Sequence, residues 1–210
     1  MNRAGLEEIG RALAERHAEP VEPRPEHSLL NYAEMPRGDD WSMRSALVRF
    51  AQPQPVRSGQ LLELVRRLDA VLHHVARPLE KRTVLCDRSI GAAIAAGSVT
   101  APTDPYPDTR TADLARVGRE IPDGLPTLVA AYTAVIALDP EELGALPLLG
   151  IALEFDALAE VLTDWAVDVS DPPPAGAVDA TCTIVGTRMD ELGVPVEEYP
   201  PGRGGRPRRG

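Results

Sequence analysis

Two aspartates, Asp87 and Asp104, bracket a glycine- and alanine-rich stretch, and a third, Asp113, follows nine positions on. Carboxylates spaced around a short turn are what phosphoryl transfer asks of a chain. One must orient or deprotonate the accepting hydroxyl, and another must help hold Mg²⁺ on the nucleotide phosphates. Each acid also has a plainer use. Asp87 can cap a turn at the end of a strand. Asp104-Pro105 can start a turn, and Asp113 can be a first-turn helix acid.

Other reactive side chains point to less. His73 and His74 are adjacent on a helix, so their side chains diverge by about 100° and do not chelate one ion. His17 reads as a buried, hydrogen-bonded helix residue. Gly91-Ala-Ala-Ile-Ala-Ala-Gly97 lacks the spacing of a phosphate-binding loop. No serine sits in a nucleophile elbow. Cys86 and Cys182 are far apart and form no CxxC, so the expectation is two reduced thiols in a cytoplasmic protein, without a disulfide framework or zinc site. The first ten residues are too acidic for a signal peptide, and no apolar run is long enough to span a membrane.

The elements that position these acids are mostly helices. Residues 4–18 place Leu6, Ile9, Leu13 and His17 on one face. The proline-rich stretch 19–57 predicts short helical turns around Trp41 to Phe50. The strongest helix opens at Ser58 as N-cap, carries Leu61, Leu64, Val65, Leu68, Val71, Leu72 and Val75, and stops at Pro78. Strands are expected at Thr83 to Cys86 and Ser98 to Pro102. Helices follow at Thr111 to Glu120 and Leu125 to Leu138. The next starts at Asp139-Pro-Glu-Glu142, kinks near Pro147 and runs to Trp165. A last helix carries Val178, Ile184, Val185, Met189 and Leu192 and closes at Gly193.

The chain has 210 residues, 43% of them apolar but only 4% aromatic, so aliphatic side chains must fill the core. Residues 1–198 read as one mainly α domain and 199–210 as a disordered arginine-, glycine- and proline-rich tail. Net charge is −10; Arg203, Arg206, Arg208 and Arg209 lie in the tail, which leaves about −14 on the rest. A body this acidic repels phosphate backbones, which argues against nucleic acid as its partner.

The order of these motifs resembles the C-terminal lobe of the aminoglycoside phosphotransferase/choline kinase-like superfamily. There a strand leads into HGDLxxGNxL, a hairpin, then IDxxx and DLA. Here the corresponding residues are Val84-Leu-Cys-Asp-Arg-Ser-Ile-Gly-Ala-Ala-Ile94, Ser98-Val-Thr-Ala-Pro-Thr-Asp104 and Ala112-Asp-Leu-Ala115. Leu13-Ala-Glu-Arg-His17 looks like the family's LAxLH helix. Leu128 to Tyr132 and Leu138 to Pro147 look like its later helices. The resemblance implies a helical kinase-like C-lobe with one short hairpin. It makes Asp87 the vestigial base and Asp104 a metal ligand, with Asp113 and His17 as structural support.

The departures imply decay. Leu85 and Cys86 replace the family's His and Gly, and Ala92 stands where an Asn should bind Mg²⁺, which a methyl group cannot do. Only eight residues precede Ile9, too few for a nucleotide-binding β lobe, and the single lysine, Lys81, is misplaced. The expectation is therefore a catalytically inactive phosphotransferase-like protein that binds or regulates, as a homodimer or with a separately encoded protein, without a cofactor of its own. The alternatives are a phosphotransferase subunit using Mg-ATP, completed by a partner chain, and an unrelated helical scaffold.

Overall fold

A computed structural model describes residues 2–24, 28–37, 41–80, 82–95 and 104–195. The described residues are mainly helical, with one two-stranded antiparallel sheet. In chain order they form α1 (Arg3–Arg16), α2 (Met43–Ala51), α3 (Pro55–Glu80), β1 (Thr83–Asp87), α4 (Ile90–Ala95), β2 (Pro105–Thr109), α5 (Arg110–Glu120), α6 (Leu125–Thr133), α7 (Pro140–Val167) and α8 (Ala175–Glu191). The arginine-rich tail lies outside the described residues.

Local sequence explains most of the helix ends. Asn2 caps α1 by accepting the Gly5 N–H at 2.9 Å, satisfying one of the amides that a helix start leaves unpaired. Asp139 and Glu142 form a reciprocal capping box at the start of α7. At the end of α8, Gly193 takes a φ of +64°. The Val194 and Gly193 N–H groups return to the Met189 and Asp190 carbonyls, a glycine-dependent helix stop.

Several boundaries differ from the sequence reading. α3 starts at Pro55, not Ser58, because proline at the first position loses no needed N–H. Ser58 instead donates its hydroxyl to the Pro55 carbonyl at 2.9 Å. α3 also continues past position 78 to Glu80. α6 ends at Thr133, short of Leu138, where the Val135 and Ile136 N–H groups both turn back to the Tyr132 carbonyl. α7 runs uninterrupted through Pro147 to Val167. The strand expected at Ser98 to Pro102 lies outside the described residues; the partner of β1 is Pro105–Thr109. Asp104-Pro105 is thus the entry to β2. Proline fits there as the first residue of a strand in a sheet made only of edges. The register pairs Thr83 with Thr109 and Asp87 with Pro105.

Two apolar clusters result. The larger joins α2, α3, α7, α8 and the inner face of the sheet, with Tyr32 stacked on Phe155 at a centroid distance of 5.2 Å. The smaller joins α1, α4, α5 and α6 around Leu13, Ile90, Ile94, Leu114, Val117, Leu128 and Tyr132. α1 and α6 approach closely because Gly10 lacks a side chain: a Cβ there would lie 2.5 Å from the Leu128 carbonyl oxygen. α5 lies between the clusters, giving Ala112 and Ala115 to one and Leu114 and Val117 to the other. Residues 111–117 are all buried.

No described helix is long and apolar enough to cross a membrane.

Candidate functional site

Because α5 is buried on both sides, a polar residue in its first turns needs partners within the protein. Asp113 is fully buried and has them. Its Oδ1 accepts the main-chain N–H of Asp87 at 3.0 Å. Its Oδ2 accepts Arg16 Nη2 at 2.9 Å and lies 3.2 Å from His17 Nε2. His17 Nδ1 is in turn 3.0 Å from the Tyr132 hydroxyl. One carboxylate therefore ties the end of α1, the end of β1 and the start of α5, and reaches α6 through His17.

Asp87 ends β1 and is 2% exposed. Its Oδ1 accepts the Ser89 N–H at 3.1 Å, the Ser89 hydroxyl at 2.7 Å and the Asp104 N–H at 3.2 Å. The carboxylate is thus folded back on the turn that follows β1 and on the residue that enters β2. Asp104 is exposed, and its carbonyl accepts the Arg88 N–H at 3.1 Å. The two aspartates are neighbours, joined through the Asp104 main-chain N–H. Position 92 falls within α4, and Lys81 lies outside the described residues. His73 and His74 are exposed on α3.

Beside the hairpin opens a cleft of about 580 Å³. Asp104 and Arg88 line one side, Arg37 and Trp41 another, and Asp156, Glu160 and Asp164 of α7 a third. Asp87 is not among its lining residues. Tyr106 is buried, with two guanidinium groups near its ring, Arg88 at 4.6 Å and Arg116 at 5.4 Å from the centroid. Arg116 Nε donates to the Tyr106 hydroxyl at 3.0 Å. Burial works against the Arg116 charge, but Tyr106, Asp156 and Asp108 more than offset it, and its pKa rises. Burial also pushes the Tyr106 phenol well up. Arg37 is ion-paired with Asp156, so two of the cleft's charges are already matched.

A second buried acid, Asp108 in β2, anchors the segment before α2. It accepts the Ser28 hydroxyl at 2.6 Å, the Leu29 N–H at 2.9 Å and the Thr109 N–H at 2.7 Å. Burial raises its pKa, and these donors pull the other way. Cys86 is fully buried in β1, where burial and then Asp113 and Asp108 push its thiol well up.

The structure brings Asp87, Asp104, Asp113 and His17 to one end of the hairpin. Sequence reasoning missed Asp108, Arg116, Tyr106 and Asp156. Asp108 alternates with Tyr106 on a period of two, which could have marked a strand with one buried face. Asp156 carries no comparable signal, because its partners Arg37 and Arg116 are far away in the chain.

Comparison with protein families, curated proteins and solved structures finds no match to this chain.

Asp113→Asn keeps the shape but leaves Arg16 without its buried counter-charge. It should cost about 3 kcal/mol of folding stability, the scale for breaking one side of a buried, hydrogen-bonded pair. Urea unfolding of wild type and variant measures it. A loss below about 0.5 kcal/mol, the range of ordinary surface substitutions, would mean the carboxylate carries no such load.

Proposed function

We propose that this chain is a binding or regulatory module with the architecture of a kinase-like C-lobe, and not a self-sufficient phosphotransferase. The observation that carries the reading is the state of Asp87. A catalytic base must reach the proton of an acceptor hydroxyl. Asp87 is buried, and its Oδ1 takes three donors from its own hairpin. The hold of Asp113 on the Asp87 N–H and the position of His17 beside it agree with the supporting roles that the resemblance implies. An alanine at position 92 removes the oxygen donor that a second metal contact would need. The hairpin therefore keeps its scaffold while its acid is used to hold the turn.

The cleft favours a second reading, a phosphotransferase subunit completed by another chain. Asp104 lines it, and Asp104 would be the metal ligand in that reading. Thermal-shift titration with Mg-ATP separates the two. A ligand that binds only the folded state must raise the unfolding midpoint. The module reading expects no shift at millimolar nucleotide and no ATP turnover by the purified chain. A saturable, Mg²⁺-dependent shift or turnover would overturn it.

The module also requires a partner, a second copy or a separate protein. Val161 and Val167 are exposed toward the far end of α7 and Val169 just beyond it, and Val167 also lines the cleft. Light scattering at micromolar concentration should give a dimer, or a monomer that gains mass with its partner. A monomer that takes up neither would contradict the partner requirement and leave the reading of Asp87 intact.

A further inference from the structure

Three side chains of different ligating chemistry meet where α1, β1 and α5 converge. One ring nitrogen of His17, Cys86 Sγ and one carboxylate oxygen of Asp113 all lie within 4.8 Å of one another. All three residues are buried. Among the described residues this is the group of His, Cys, Asp and Glu side chains gathered closely enough to share an ion.

We propose that His17, Cys86 and Asp113 form a binding site for a borderline-soft divalent transition metal, with Zn²⁺ the fitting ion. Imidazole, thiolate and carboxylate are the three protein ligand types that Zn²⁺ accepts. Its bond lengths of about 2.0–2.3 Å imply tetrahedral edges of roughly 3.3–3.7 Å between donors. The 3.2 Å between His17 Nε2 and Asp113 Oδ2 is already close to such an edge. Small movements of the thiol would complete the triangle.

The groups around the three donors are arranged as metal sites require. The Tyr132 hydroxyl engages His17 Nδ1, which fixes the ring with Nε2 toward Asp113. The Asp87 N–H engages Asp113 Oδ1, which leaves Oδ2 for the ion. Partners of this kind on the far side of each ligand orient it and raise its basicity. Cys86 and Asp113 lie in β1 and α5, and His17 caps the end of α1.

Three contacts must yield. The hydrogen bond from His17 Nε2 to Asp113 Oδ2 opens as the ring takes the tautomer with its proton on Nδ1, donated to the Tyr132 hydroxyl, which leaves Nε2 free to bind the metal. Cys86 Sγ–H donates to the Thr109 carbonyl at 3.4 Å, and binding expels that proton to solvent as the thiolate bonds the metal. Arg16 shares Asp113 Oδ2 and must swing away. Its side chain is 16% exposed, so a path outward exists. No electron transfer is involved. None of the three residues lines the cleft beside Asp104.

Co²⁺ titration of the full chain, treated first with chelator, tests the site. A thiolate-to-Co²⁺ charge-transfer band should appear in the near ultraviolet and saturate at one ion per chain. Zn²⁺ should abolish the band by competition and raise the thermal midpoint. Cys86→Ser should remove the band and Cys182→Ser should keep it. A folded wild type that gives no band at millimolar Co²⁺ overturns the proposal, and so does a band that survives Cys86→Ser. If Cys86→Ser does not fold, X-ray absorption on the wild-type Co²⁺ complex decides. One sulfur with nitrogen and oxygen neighbours supports the site, and a shell of oxygen alone overturns it.

Discussion

A buried carboxylate has to be neutralised and hydrogen-bonded where it sits, and Asp113 imposes that demand on everything around it. Residues 111–117 of α5 are enclosed by apolar clusters on both sides, so Asp113 cannot reach water. Arg16 supplies the counter-charge, while His17 and the Asp87 N–H supply hydrogen bonds. Those partners lie at the ends of α1 and β1. Satisfying one side chain therefore sets where the first helix stops and where the first strand gives way to its turn.

The same rule recurs at two neighbouring acids. Asp108 takes three donors and fixes the segment around Ser28 and Leu29 to β2. Glu142, 1% exposed, accepts from Arg82 and Arg110 and joins the start of α7 to the residues just before β1 and at the head of α5. The three acids bind the sheet to the helices on every side of it. Asp87 is used in the same way on a shorter range, its Oδ1 holding its own turn and the entry to β2 together.

What the sequence discloses follows the range of the interaction. Caps and stops are written within four residues, and Asn2, Asp139 with Glu142, and Gly193 could be expected or recognised from neighbours alone. The stripe from Leu61 to Leu72 was equally plain, since helical periodicity alone places it against the core. The start of α3 was misjudged because Ser58 is a good cap and Pro55 is a better first residue, and tertiary packing decided between them. The strand Pro105–Thr109 was missed because Pro-Tyr-Pro-Asp-Thr looks like a turn until Asp108 finds Ser28 across the molecule. In the site, Asp87, Asp104, Asp113 and His17 were legible through their order and spacing. Arg116, Tyr106 and Asp156 were not, since their meaning lies in one another.

The central claim is that Asp113 grips the end of β1 from within the core, and amide hydrogen exchange reads that grip at the atom concerned. The Asp87 N–H should exchange only through opening of the whole domain, with the protection of the slowest core amides. In Asp113→Ala, which removes the acceptor, that protection should collapse further than global destabilisation accounts for. An Asp87 amide that exchanges in wild type as quickly as the exposed loop amides would contradict the account.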